Sequence, residues 1–337
     1  MTRMGRVVRV TDASEVASAR RIATQCASAL RLSEQITGKA ALVTTELATN
    51  ILKHGGGGSI LFGSDHDDDK SLTIIAIDKG RGIENINTAL RDGYSTAGSS
   101  GTGLGAVQRA AATFDLYAFP ERGTAVFCRL DEEGPRPPVF NAPSRIAVGG
   151  ICIALPGEEQ SGDAWTAMAT RDTVTIGVAD GLGHGMAAGT ASAAAVRVFS
   201  ESTDRSLDEI LEESHAVLRP TRGAAVGLAR IHLGQGRLEF SGVGNIAGTI
   251  TEDDGTMRRV VSLNGIVGHE MRKVQTFSYP WAARSVLILQ SDGVSSSWNA
   301  ANYPGLLQHE PALIAAVIYR DHCRGTDDAT VVVAKAS

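Results

Sequence analysis

The chain has 337 residues, room for about two domains of ordinary size. With 43% hydrophobic and 20% charged residues it has the balance of a globular protein, which excludes wholesale disorder. The net charge is −5: residues 1–130 hold 15 basic and 13 acidic residues, residues 131–337 hold 17 and 24, so neither half looks like a dedicated nucleic-acid binder.

In chain order, Ser14 to Leu30 is an Ala-rich helical stretch, and Ser33 can cap a second helix running to about Lys53. On that helix Glu46, Asn50 and His54 share one face at i, i+4, i+8, beside Thr49 and Lys53. Ala40, Leu42, Val43, Leu47 and Ile51 make up its apolar part, and a polar stripe of this kind can equally be a wet face. The acidic run Asp65 to Asp69 reads as a solvated hairpin between strands 59–63 and 71–77. The second of these strands ends at Asp78, followed by Gly80 and Gly82. A carboxylate at a strand end can accept a hydrogen bond from an exocyclic amine, and the glycines let backbone approach a flat ring. A Gly-rich loop over residues 93–105, with Gly101, Gly103 and Gly105, feeds a helix from Leu104 to Phe114. Such a loop turns backbone N–H groups and the positive dipole end toward phosphate. A strand over Thr124 to Leu130 closes this half, with Thr124 lining the pocket.

Residues 131–143 carry four prolines and read as a short, stiff linker. Beyond it, strands are expected near 147–154, 173–179, 225–233, 238–250, 285–290 and 329–335, and helices near 186–203 and 206–219. Strand 173–179 ends in Asp180-Gly181-Leu182-Gly183-His184-Gly185. Strand 285–290 leads to Asp292, Asp327-Asp328 opens the last strand, and Asp163 precedes Trp165. Carboxylates gathered at strand ends are hard oxygen ligands for Mg²⁺ or Mn²⁺, and two such ions can hold a phosphate and activate a water. Cys128 and Cys152 read as core residues and His232 as a strand-surface residue. Trp165 and Trp281 fit core or substrate face alike. The four cysteines show no C-x-x-C spacing, and no apolar run approaches the roughly 20 residues of a membrane span. A cytoplasmic protein is the expectation.

Taken in order, Glu46-x-x-x-Asn50, Asp78-x-Gly80-x-Gly82 and Gly101-x-Gly103-x-Gly105 resemble the Bergerat-type ATP-binding domain of histidine kinases, gyrase-type ATPases and anti-sigma-factor kinases. Gly93-Tyr94-Ser95-Thr96-Ala97-Gly98 looks like the RsbT type of serine/threonine switch kinase. The resemblance implies ATP, Mg²⁺ on Asn50, and Glu46 as general base; His54 and Lys53 are candidates to approach the phosphates. The second half resembles the metal-dependent phosphatases of the protein phosphatase 2C type, in the bacterial stress and sporulation branch with SpoIIE and RsbX. It implies two Mn²⁺ or Mg²⁺ ions held by Asp163, Asp180, Asp292, Asp327 and the Gly181 carbonyl, with Asp328 the lesser of its pair. His184 is left with three roles: orienting the loop, meeting the substrate, or capping the next helix. No cationic phosphate clamp occupies a fixed motif position, and Arg222 is nominated for it.

The expected fold class is α+β in two domains: an N-terminal α/β sandwich over 1–130, a linker over 131–143, and a C-terminal αββα sandwich over 144–337. The expected function is a bifunctional protein serine/threonine kinase and phosphatase. Its implied partners are STAS-domain substrates of anti-sigma-antagonist type, with a sigma factor or another output protein behind them, in partner switching during stress response; neither nucleic acid nor membrane is expected. The alternatives are a phosphatase whose first domain only senses ATP, and a non-catalytic module that binds an anti-sigma-type partner.

Overall fold

The structure is a computed structural model that describes residues 2–65, 68–90, 103–132, 146–202, 204–252 and 255–336. The expected Gly93–Gly98 motif, Gly101 and nearly all of the expected linker lie outside the described residues. The chain forms two compact units, residues 1–141 with 308–320, and residues 142–307 with 321–337.

In the first unit the order is β1 (Thr2–Val10), α1 (Ala13–Ala29), α2 (Glu34–Asn50), β2 (Gly58–Asp65), β3 (Asp68–Asp78), α3 (Ile86–Ala89), α4 (Gly103–Ala110), β4 (Thr113–Ala118) and β5 (Thr124–Asp131). Asp12 and Glu15 close a capping box at the start of α1, satisfying amide groups that a helix leaves unpaired. Ala19, Ala23 and Ala27 follow at four-residue intervals, all fully buried, so α1 lies close against α2. Ser33 caps α2 by accepting from Ile36 N–H (3.3 Å), and Glu132 accepts from both the Ser33 N–H and its hydroxyl. The strands run β1-β2-β3-β5-β4, each antiparallel to its neighbour. One face of the sheet, with Ile60, Phe62, Ile74, Val126 and Cys128, packs on the helices through Ala23, Val43, Leu47 and Val107.

Three expectations change here. The arginine-punctuated segment of β1 is a strand that the sequence reading passed over. The helix expected to reach Phe114 ends at Ala110, because Thr113 and Phe114 pair with Arg129 and Cys128 of β5. Leu42, expected on the apolar side of its helix, is 46% exposed.

The second unit contains β6 (Ile146–Ile153), β7 (Asp163–Ala169), β8 (Thr173–Gly181), α5 (Gly185–Glu201), α6 (Leu207–Leu218), β9 (Ala224–His232), β10 (Arg237–Val243), β11 (Ala247–Thr251), β12 (Met257–Arg259), β13 (Phe277–Pro280), β14 (Val286–Gln290) and β15 (Ala329–Ala336). Before β15 comes α7 (Pro311–His322), whose residues up to Arg320 group with the first unit. Two antiparallel sheets form, β12-β11-β14-β15-β6 and β13-β10-β9-β8-β7. Trp165 of β7, 3% exposed, lies against Gly150 of β6 and fills the space between the sheets. On the other side of the second sheet, Phe199 of α5 fills the space left by Gly177 of β8, and α6 completes that layer with Ile210, Leu211 and Leu218. Trp281 is 8% exposed, so both tryptophans left open by the sequence are core residues.

The single strand expected over 238–250 is two strands in different sheets. The chain leaves β10 at Gly244, whose φ of +101° suits glycine, and enters β11 after Asn245. A Cβ on Gly244 would sit 2.5 Å from the Ala225 Cβ, so the crossing depends on that glycine.

Candidate functional site

In the first unit, α2 carries both the acid and the amide of the expected nucleotide site. Glu46 and Asn50 are half-buried near its C-terminal end. Gly103, at the start of α4, lies against them: a Cβ there would be 3.1 Å from Glu46 Oε2 and 3.7 Å from Asn50 Nδ2. The helix continues as a wider π turn, Ile51–Gly55, which sets Gly55 against the Asp78 side chain; a Cβ on Gly55 would be 2.6 Å from the Asp78 Cβ. Asp78 Oδ1 accepts from the N–H groups of Gly80 (2.8 Å) and Thr124 (3.3 Å). That leaves lone pairs on the second oxygen for an external donor. Burial raises the Asp78 carboxyl above the usual carboxylate range, and the two amide hydrogen bonds oppose that shift.

The glycines here are fixed by close backbone contact. A Cβ on Gly80 would be 2.3 Å from the His54 carbonyl oxygen. On Gly123, at φ +87°, it would be 2.0 Å from the Asp78 oxygen, and on Gly82, at φ +70°, 2.2 Å from that of Phe119. Gly105 is buried inside α4. His54 Nδ1 takes a hydrogen bond from Arg81 Nη2 (3.3 Å), and its proton affinity is lowered by burial and by Arg81 and Lys53. Arg320, in the 308–320 segment, donates from Nη1 to the Asp78 carbonyl (2.9 Å); no sequence signal marked it.

In the second unit, four acids arrive from four separate segments. Asp163 and Asp180 are cross-strand partners of β7 and β8. Asp292 follows β14, and Asp327 precedes β15. Asp163 is 5% exposed, and its Oδ2 accepts from the Ser291 hydroxyl (2.6 Å). Ser291 in turn accepts from the Thr330 N–H (3.0 Å). Asn245, at the crossing between sheets, donates to Asp292 Oδ2 (2.6 Å). Asp328 is only 2% exposed, and its two oxygens accept from Leu155 N–H and Gly162 N–H, both 2.8 Å. It holds the Asp163 loop, which leaves Asp327 as the more accessible carboxylate of the pair.

The acids are close enough to repel one another. The Asp180 carboxyl is pushed up to about 9, first by burial and then by Asp163, Asp292, Asp327 and Asp328. Burial also raises Asp163, with Asp328 and Asp327 adding to it and Ser291 opposing. Asp292 is raised by burial and Asp327, against Arg324 and Asn245. Among the described residues no three His, Cys, Asp or Glu donors are drawn together as tightly as ligands on one ion. The donor set still fits a hard divalent cation, which would neutralise this repulsion. Gly181 is fixed by packing, since a Cβ there would be 2.1 Å from the Ala188 carbonyl oxygen.

His184 occupies the N-cap position of α5 but makes no side-chain cap; its Nδ1 pairs with Glu158 Oε1 at 2.6 Å. Arg222 lies at the same loop, with Nη1 2.9 Å from where a Gly183 Cβ would be. His232 pairs with Glu239 (2.9 Å) on the strand surface, and Cys128 is buried. Asn245 and Glu158 went unread in the sequence, and Ser291 was read as part of its motif but not as the partner of Asp163. Only the Gly242-Val243-Gly244-Asn245 interruption of a long apolar run signalled a special position.

Residues 10–129 match the family described as histidine kinase-like ATPase domain, and residues 170–337 match stage II sporulation protein E (SpoIIE). The chain is 32% identical over 120 residues to the serine/threonine-protein kinase RsbT of Bacillus subtilis, covering 35% of this chain and 90% of that protein. It is 24% identical over 139 residues to the phosphoserine phosphatase RsbX of the same organism, covering 41% of this chain and 70% of that one. A solved structure described as "The bacterial stressosome: a modular system that has been adapted to control secondary messenger signaling" superposes with a TM-score of 0.53 and 27% identity. That superposition covers 57% of this chain and all of the other.

Proposed function

The chain belongs to the histidine kinase-like ATPase family through residues 10–129 and joins to it a SpoIIE-type phosphatase part, and from this we propose that it is a two-headed switch enzyme. One part phosphorylates a serine or threonine of a partner protein, and the other removes that phosphate. The observation that supports the phosphatase half is the register that sets Asp163 opposite Asp180 across β7 and β8, with Ser291 and Asn245 holding Asp163 and Asp292 by hydrogen bonds.

For the kinase half we assign ATP to the space between α2, α4 and the Asp78 loop. Asp78 would accept a hydrogen bond from the adenine amine, Asn50 would hold Mg²⁺, and Glu46 is placed to take the proton of a substrate hydroxyl. For the phosphatase half, Asp163, Asp180, Asp292, Asp327 and the Gly181 carbonyl would hold Mn²⁺ or Mg²⁺. When bound, the ions supply charge neutralisation and an acidified water. The residues around them fix the donors: Ser291 orients Asp163, Asn245 orients Asp292, and Asp328 anchors the loop before β7.

The partners we assign are STAS-domain proteins, with an output such as a sigma factor behind them. The kinship with RsbT and RsbX supports partner switching. We place the chain in the cytoplasm; no described helix is long and apolar enough to cross a membrane. The test is a paired assay on a candidate STAS-domain protein, first with ATP and Mg²⁺ and then with Mn²⁺ alone, following its mass. Gain of one phosphate in the first arm and its loss in the second supports the reading. No gain with the parent protein removes the kinase half, and no loss removes the phosphatase half.

A further inference from the structure

We infer that Leu182, Met186 and Arg222 form a docking rim beside the acidic cleft for a phosphorylated protein segment with apolar residues next to the phosphoamino acid. The inference rests on the phosphatase reading above. Four large hydrophobic side chains are markedly exposed among the described residues. Two of them, Leu182 (36%) and Met186 (77%), flank the loop that follows Asp180. Their spacing across the start of α5 sets them either side of the Gly183-His184-Gly185 bend, where Gly183 and Gly185 both have positive φ. Single exposed hydrophobics are ordinary, but two at the edge of one cleft form a place for an apolar partner.

The loop's position is fixed. Leu182 N–H donates to the Gly223 carbonyl (3.0 Å), which ties the loop to the turn before β9. The register of β8 and β9 continues that tie, with Asp180 opposite Ala225 and Gly181 opposite Ala224. Arg222, one residue before Gly223, is therefore delivered to the loop beside Asp180. It is exposed, forms no ion pair among the described residues, and rests its guanidinium on Gly183. The His184–Glu158 pair closes the other side of the bend. Glu158 also approaches Gly185, 2.7 Å from where its Cβ would be, so the loop is braced from both sides.

Continuity with the cleft and complementary charge determine the occupant. The acids of the cleft repel an anion until cations neutralise them, and Arg222 is an exposed positive group on the loop that follows Asp180. A guanidinium presents a planar fork that fits phosphate oxygens. A small phosphate ester would meet only the ions and the guanidinium groups of Arg222 and Arg324. A protein segment would also cover Leu182 and Met186, so the rim favours phosphoprotein over small ester.

The test uses the full chain with Mn²⁺ and three probes: p-nitrophenyl phosphate, a phosphoserine peptide with leucine on both sides, and the same peptide with aspartate there. The parent is expected to favour the leucine peptide in kcat/KM by about tenfold, the equivalent of about 1.4 kcal/mol. Leu182→Glu and Met186→Glu should each erase that preference. Arg222→Ala should raise KM for all three probes, with part of the loss restored in Arg222→Lys. A parent without flank preference, or variants that keep it, overturns the rim while leaving the phosphatase intact. A parent that hydrolyses none of the probes overturns the phosphatase reading and the rim with it.

Discussion

Replacing Asp180 by asparagine should abolish the phosphatase and, in metal-free protein, make the second unit more stable. The carboxyl holds its proton up to about 9 in the fold, against 3.8 as the ordinary value. The folded state thus binds the proton more tightly than the unfolded state, and stability falls as pH rises from the lower value to the higher. At pH 7.5 the distance from 3.8 is 3.7 pH units, which at about 1.36 kcal/mol each sets a ceiling of about 5 kcal/mol. Asp163 shares the same proton load, so the expected gain in Asp180→Asn is about 1–3 kcal/mol. All three tryptophans, Trp165, Trp281 and Trp298, lie in the second unit and are buried there, so their fluorescence follows its unfolding in urea. With chelator, the variant should outlast the parent by more at pH 8 than at pH 5. With saturating Mn²⁺ the order should reverse, because only the parent gains binding energy. A variant less stable than the parent with chelator at pH 8 would refute the argument that these acids repel one another.

Glu46→Gln should bind ATP within a few-fold of the parent yet lose phosphate transfer by at least about a hundredfold, read with labelled ATP and a STAS-domain acceptor. Gly123→Ala puts a methyl against the Asp78 backbone at a positive φ. It should cost about 2 kcal/mol or more in stability and weaken binding of a fluorescent ATP analogue. Asn245→Ala frees the Asp292 carboxylate, and Mn²⁺ affinity by calorimetry should drop about 10–100-fold with little change in the urea midpoint of metal-free protein. Asp328→Ala and Asp327→Ala should part company. The first leaves the buried Gly162 N–H and the half-buried Leu155 N–H unpaired and costs about 2 kcal/mol or more in stability, whereas the second mainly loses metal affinity.

Motifs at strand ends were legible in the sequence because the physics there is local. An apolar run must stop where the chain turns, so Asp78 and Asp180 stood out at the ends of runs over 72–77 and 173–179. Glu46 and Asn50 were legible through helical spacing alone, and Gly103 then met them in space. What depends on distant partners was hidden. The register of β4 on β5 takes Phe114 out of a helix that its alanines suggest. Arginines at every third position masked β1, whose opposite neighbours lie about fifty to sixty residues away in β2. Asp328 and Asp327 are identical letters side by side, and only the Leu155 and Gly162 amides distinguish their roles. Asn245 was missed for a related reason: its use appears only once one strand pattern is divided between two sheets.

That division has a mechanical consequence. The peptide that crosses between the layers of the sandwich at Gly244 also carries Asn245, which donates to Asp292 Oδ2, so a sliding of one layer over the other would reach Asp292 through that single side chain.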